Sequence, residues 1–362
     1  MIGAEIRQGI ISRSLVSVGT RADWQRIFQK SHIRIAYMGG SVTYGYADGR
    51  MLPKPYHAVV SDLLEEEGFQ ASCTVCADAG MDSLTGDVLA EEYVLKQHPD
   101  LVFLEFAINE TTLRHSVEYF ESLVRRLLTS DDRLTVCLLL MRNANDYSCA
   151  SFMRPLAEHY GLPCIDIREA LNPALNAEEI AWEDFGDREG HPNPDGHRLL
   201  AECIMNLFQT GRRTTAVLPE PLPEPWLDAP FTALQRVEAG AVPEGISIPA
   251  DYPVSERPLH YLRRSWCISK ENGIWTMQCF CRAAVIFFET HFLPQFGSGR
   301  ILLDGKPVRN AQLEGGVLQT RSIYGWGNVR DLVLLNQAEP AVHTVTIEPL
   351  EGNVYLLCAA VQ

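Results

Sequence analysis

The chain has 362 residues, which at roughly 150 residues per domain suggests two domains or three. Hydrophobic residues make up 46% and charged residues 21%, an ordinary globular balance that excludes a collagen-like, coiled-coil or largely disordered chain. Lys plus Arg number 31 against 46 Asp plus Glu, a net charge of −15 that repels polyanions and argues against nucleic acid or an acidic membrane surface as partner.

Over the first 210 residues or so, short apolar runs alternate with helical patterns. Ile33–Met38 reads as a strand ending at Gly39-Gly40, followed by a helix over Tyr56–Glu67. Ser72–Ala77 is a second strand and Asp87–Gln97 a helix. Asp100–Ala107 is a third strand, nearly continuous in apolar residues as a strand buried on both faces should be. Val117–Leu128 is helical, Leu134–Met141 a strand, Phe152–Tyr160 a helix, Pro163–Ile167 a short strand and Pro194–Gln209 a closing helix. This alternation predicts a parallel sheet with helices on both faces.

The texture changes after Arg213. Val217–Trp226 carries four prolines in ten residues and reads as part of an extended linker. Beyond it lie β-type segments at Trp275–Cys281, Ala283–Glu289, Arg300–Leu303, Val317–Ile323, Asp331–Leu335, Val342–Ile347 and Val354–Val361. Asp304-Gly305 is a strong hairpin signal between Ile301–Leu303 and Pro307-Val308. Strands without helices predict a β-sandwich of jelly-roll type. The expected division is 1–212 for an α/β domain, 213–230 for the linker and 231–362 for the sandwich.

No apolar run approaches the ~18 residues of a membrane helix. The N-terminus lacks a basic stretch followed by an apolar block, so a cytoplasmic protein is expected. Ten cysteines sit largely in apolar segments and read as reduced core residues. Cys73 and Cys76 have CxxC spacing, but no second pair or nearby histidine in the sequence completes a metal set. No metal or cofactor is expected.

Three segments carry residues suited to chemistry. Gly39-Gly40-Ser41-Val42-Thr43-Tyr44-Gly45 directly follows the first strand, where an open α/β sheet keeps its ligands. It reads either as a solvated turn or as a nucleophile loop. A phosphate loop is excluded because Tyr46 stands where lysine is required. Gly190–His197 places two histidines among turn residues. His191 suits a general base, whereas His197 fits better as packing in the first turn of a helix capped by Asp195. Asn109, at the end of the third strand, could donate its amide to a developing oxyanion or cap a helix.

Together these segments resemble the SGNH, or GDSL-like, hydrolase superfamily. Gly39–Gly45 matches the Gly-Gly-Ser-x-Thr-x-Gly block of its carbohydrate-esterase branch at every fixed position, and Phe106-Ala-Ile-Asn109-Glu110 resembles that branch's Phe-Ala-x-Asn-Asp. His191-Pro-Asn193 and Gly196-His197 match the last block, and the similarity spans about residues 15 to 210 in the family's order. The resemblance implies a flavodoxin-like three-layer α/β/α domain and a serine esterase releasing small acyl groups, acetyl foremost, from carbohydrate. An acetylxylan-esterase-like activity on an acylated oligosaccharide or other small ester is the expected form.

By the same resemblance Ser41 is the nucleophile, His191 the base, and the N–H groups of Ser41 and Ser83 with the Asn109 amide form the oxyanion hole. Gly40, Gly80 and Glu189 are supporting residues. Two departures stand out. Ser83 occupies a position that is glycine in the family, and Arg188 stands where the family has its aspartate. Asp187, four residues before His191, is the expected orienting acid, with a Ser-His dyad as the other arrangement. The rival functions are a lipid esterase or thioesterase of the same fold and a degenerate carbohydrate-binding protein. Tyr44, Tyr46 and Trp182 are candidates to stack on sugar rings, and Trp326 suggests a ligand role for the sandwich. A homo-oligomer is a further expectation.

Overall fold

The chain divides into two compact units, Met1–Thr232 and Ala233–Gln362. The computed structural model describes residues 2–215, 221–227, 231, 233–323 and 327–362. Trp326 therefore lies outside the described residues.

In the first unit α1 (Ala4–Ser14) leads into β1 (Leu15–Val18), and α2 (Trp24–Phe28) precedes β2 (His32–Gly39). The short helix α3 (Ser41–Tyr44) and a hairpin of β3 (Tyr46–Ala47) and β4 (Arg50–Met51) follow. Then come α4 (Tyr56–Glu66), β5 (Gln70–Ala77), α5 (Ser83–Tyr93), β6 (Leu101–Glu105), α6 (Arg114–Ser130), β7 (Thr135–Leu140), α7 (Ala150–Tyr160), β8 (Pro163–Asp166), α8 (Ile167–Asn176) and α9 (Pro194–Gly211). The sheet order is β1-β8-β7-β6-β2-β5. The five strands from β2 onward run parallel, while β1 pairs antiparallel with β8 at the edge.

This is the doubly wound order in which the chain turns back between its first and third parallel strands, here β2 and β6. Ser41 and Asn109 stand just beyond the carboxyl ends of that pair. Every residue of β6 and β7 is buried, which accounts for their uninterrupted apolar runs. α5 begins four residues before the expected helix because the Asp82 side chain caps it, accepting from Thr85 N at 2.9 Å. Residues of the proline-rich stretch are tied to α6: Arg125 donates to the Pro223 carbonyl at 2.7 Å, and Leu227 N donates to Glu121 at 2.9 Å.

The second unit is antiparallel and all-β. Its strands are β9 (Gln235–Glu238), β10 (Val254–Glu256), β11 (Arg264–Ile268), β12 (Trp275–Thr290), β13 (Ser298–Leu303), β14 (Lys306–Pro307), β15 (Val317–Gln319), β16 (Asn328–Glu351) and β17 (Val354–Val361). Hydrogen bonding runs continuously in the order β10-β11-β17-β12-β16-β13-β14, with β15 on β13 and β9 on β17. Asp304 and Gly305 take φ of 51° and 74°, as a two-residue hairpin between β13 and β14 requires. The segments expected at 275–281 and 283–289 are one strand with a bulge at Arg282, and those at 331–335 and 342–347 join in β16 across a register shift.

Candidate active site

Two glycines precede Ser41 because two side chains leave no room for a Cβ. On Gly39 a Cβ would sit 2.4 Å from Thr43 Oγ1 and 2.6 Å from the Glu105 carbonyl. On Gly40 it would sit 2.3 Å from Oδ1 and 2.7 Å from Nδ2 of Asn109, so the Asn109 carboxamide lies directly against the residue before Ser41. Ser41 then opens α3, whose first N–H groups have no acceptor within the helix. Gly45 closes that turn at φ 88°, its N–H donating to the carbonyls of Ser41 and Val42.

His191 reaches the same point from the loop before α9. Its Nε2 lies 2.9 Å from Ser41 Oγ, and its Nδ1 lies 3.5 Å from Asp187 Oδ2. The second distance is ion-pair contact without hydrogen-bond geometry, and Nδ1 has no hydrogen-bond partner. The loop absorbs its extra residue through Gly190, at φ 99°, while Asp187 N donates to the His191 carbonyl at 2.7 Å. Arg188 points to solvent.

Asp187 is 6% exposed, and donors surround its carboxylate. Oδ1 accepts from the N–H groups of Glu189 (2.9 Å) and His191 (2.8 Å), and Oδ2 from Asp48 N at 2.8 Å. Burial works to raise its pKa, but these N–H groups and the neighbouring His191 hold it below the ordinary value. Glu189 is exposed; one of its carboxylate oxygens lies within 4.8 Å of ligand atoms of both Asp187 and His191. The structure thus brings Ser41, His191, Asp187, Asn109 and Gly40 together.

The oxyanion reading of Ser83 is corrected. Its N–H donates to Glu110 Oε1 at 2.6 Å, so a buried carboxyl holds the donor that the resemblance assigned to the reaction. Glu110 Oε2 accepts from the Ser116 hydroxyl, and burial pushes the Glu110 carboxyl up to about 7. Gly80 takes φ 71° in the preceding turn, a backbone part only. Asn193, not Asp195, caps α9, its Oδ1 accepting from Gly196 N at 2.9 Å. His197 packs in the first turn, where its Nδ1 accepts from Tyr56 N at 3.0 Å and its ring stacks on Tyr56. Burial holds it down to about 3, so it stays neutral.

The aromatic residues divide. The Trp182 indole N–H donates to the Asp187 carbonyl at 2.7 Å, and its other face meets the Arg142 guanidinium at 5.5 Å, which makes it a strut for the acid loop. The Tyr46 ring meets the His191 ring edge-on at 5.2 Å and lines the site, and Tyr44 is half-buried on α3. Sequence reasoning missed Glu105 and the Asp48 N–H. A lone charge inside the apolar run Leu101–Phe106 was the available signal for the first. The second is a backbone donor with no residue signature.

Residues 37–199 match the GDSL-like Lipase/Acylhydrolase family. The fold of both units together matches a two-domain esterase active on acetylated mannans, with a TM-score of 0.82 and 20% identity over 97% of each chain. The same esterase co-crystallised with mannopentaose matches with a TM-score of 0.82 at 19% identity over 97% of each chain. An acetylxylan esterase from Geobacillus stearothermophilus matches 49% of this chain and 94% of its own at 18% identity, with a TM-score of 0.41. Comparison with curated protein sequences gives no match.

Proposed function

We propose that the protein is a serine esterase that removes acetyl groups from carbohydrate through an acyl-enzyme on Ser41. The observation that carries this reading is the 2.9 Å contact of Ser41 Oγ with His191 Nε2 beside the Asp187 carboxylate, at the point where the sheet order reverses. The similarity in fold to an esterase active on acetylated mannans favours acetylated manno-oligosaccharides over lipid esters.

In this mechanism His191 Nε2 takes the Ser41 proton as Oγ attacks the ester carbonyl. The other ring nitrogen then carries its proton toward Asp187, whose ionised carboxylate stabilises the imidazolium. The Ser41 N–H and the Asn109 amide hold the oxyanion. His191 returns the proton to the departing sugar hydroxyl, and water repeats the cycle to release acetate. With Ser83 N–H engaged by Glu110, this oxyanion hole has two donors from the motif residues. Ten cysteines held as thiols rather than disulfides support a reducing, cytoplasmic setting and hence a substrate small enough to be taken up by a cell.

The test is acetate release from acetylated manno- and xylo-oligosaccharides by the wild type and Ser41→Ala side by side. Release from the manno-series that falls by roughly 10⁴-fold or more in the mutant is the expected result. Equal release by Ser41→Ala removes the nucleophile assignment. Preference for long-chain nitrophenyl esters, with no acetate from either sugar, gives the lipid reading instead.

A further inference from the structure

The mechanism leaves unused a carboxyl directly beneath the nucleophile turn. Glu105 ends β6 and is fully buried. Its Oε2 accepts from the N–H of Thr43 at 3.2 Å and from its hydroxyl at 3.0 Å, while its main-chain carbonyl accepts from Gly40 N at 3.3 Å. The residues on either side of the Ser41 amide and side chain are therefore both hung from Glu105. Thr43 Oγ1 is also 3.0 Å from the Tyr56 hydroxyl, and Tyr56 is braced by His197 behind it. Glu105 Oε1 is buried and meets no donor.

Resting on the esterase reading above, we propose that Glu105 is a positioning residue that works as a neutral carboxylic acid, holding the Ser41 turn against Asn109, and that its ionisation would set an uncompensated buried charge beneath that turn. A carboxylate with one oxygen lacking any donor is a costly buried charge, whereas the neutral acid fits the same contacts. Around it, Thr43 faces it from α3, Tyr56 and His57 lie on α4, and His197 stands behind Tyr56 on α9. The paired positions Gly39 on β2 and Leu138 beside Leu104 on β7 add no charge. Burial holds His57 down to about 4 and His197 to about 3, so neither is a cation at neutral pH. Among the described residues no arginine or lysine forms an ion pair with Glu105. Burial pushes Glu105 itself up to about 8, the direction that this environment dictates. An ionised Glu105 would also set a negative charge beneath the N–H groups that must receive the oxyanion.

The experiment measures kcat and KM for nitrophenyl acetate from about pH 6 to about pH 10 in the wild type, Glu105→Gln and Glu105→Ala. Labelling of Ser41 by a fluorophosphonate is followed over the same range; there the serine oxygen bonds phosphorus, fluoride leaves and the serine proton passes to His191. Wild-type kcat and labelling should fall above about pH 8 with KM little changed. Glu105→Gln should keep wild-type kcat near neutrality and lack the alkaline fall, because an amide is neutral at every pH. Glu105→Ala should lose on the order of 10²-fold in kcat, as expected for a displaced nucleophile. An alkaline fall that persists in Glu105→Gln overturns the proposal, and so does a Gln variant crippled at neutral pH. Should Glu105→Ala fail to fold, the Gln variant alone decides. Wild-type protein that neither hydrolyses esters nor takes the label sinks the esterase reading instead. Denaturant unfolding then judges Glu105: parallel pH curves for wild type and Glu105→Gln overturn its neutral form.

Discussion

The loop before α9 and the carboxyl end of β6 each bring a carboxyl toward Ser41, and they treat it in opposite ways. Asp187 sits among three backbone N–H donors and beside His191, so it stays ionised despite its burial. Glu105 has two donors from one threonine, an oxygen with none, and apolar strands around it, so it is held neutral. Both are acids within the same few residues of Ser41. What separates them is the count of N–H groups aimed at each, which the backbone of the loop supplies and the packed strand end does not.

The sharpest way to break this comparison is to neutralise each acid in turn. Asp187→Asn should cut kcat by roughly 10²- to 10⁴-fold, because an amide cannot stabilise the imidazolium and can fix the wrong histidine tautomer. Glu105→Gln should leave kcat near wild type at neutral pH. Steady-state kinetics on nitrophenyl acetate measure both. Equal losses in the two variants would mean that the carboxyls do the same work. Asn109→Ala should cost about 2.7–4 kcal/mol in the barrier, seen in kcat rather than KM, since its amide acts on the oxyanion and is tied to neither acid. An unchanged kcat would leave the hole with the Ser41 N–H and move the second donor elsewhere.

Trp182→Phe sharpens the loop side of the comparison. It keeps a ring beside Arg142 but removes the N–H that reaches the Asp187 carbonyl. The expected cost is about 1 kcal/mol of stability with a severalfold loss in kcat. Denaturant unfolding and kinetics read the two effects, and a change in KM alone would make Trp182 a sugar-stacking residue after all.

The same contrast explains what could be read from the sequence. The parallel strands were legible because β6 and β7 are buried at every residue, and the candidate residues Ser41 and His191 because glycine and proline marked their turns. β1 was not legible: four half-buried residues at a sheet edge carry neither an apolar run nor a clean alternation. The long strands β12 and β16 were each read as two, since a bulge breaks the side-chain period without ending the strand. Asp187 was found one residue out of its expected place because Gly190 can take a positive φ and shorten the loop. The fate of the Ser83 N–H was hidden, since which acceptor a backbone donor finds depends on the tertiary position of Glu110. Spacing conveys turns and strands, and it does not convey where main-chain donors point.

The smallest effects are those on folding, and here the two acids should act in separate pH windows. The folded-state pKa of Glu105 is raised from an ordinary 4.5 to about 8, so the native protein binds the extra proton between those values. Its contribution is complete below about pH 4.5 and is lost as pH rises toward 8. Asp187 is shifted downward from 3.8, so its contribution is present above that value and lost as pH falls through its lower folded-state pKa. Urea unfolding across pH should therefore show Glu105→Gln flattening the neutral-to-alkaline decline in part, because Asp87 and Glu110, both pushed up to about 7, add to it. Asp187→Asn should lower stability above about pH 4 and converge on wild type in acid, where His197, held down to about 3, already weakens the fold from pH 6.5 downward. A Glu105→Gln curve that departs from wild type at the acid end would show that its carboxyl is ionised in the native state, and the contrast between the two acids would disappear.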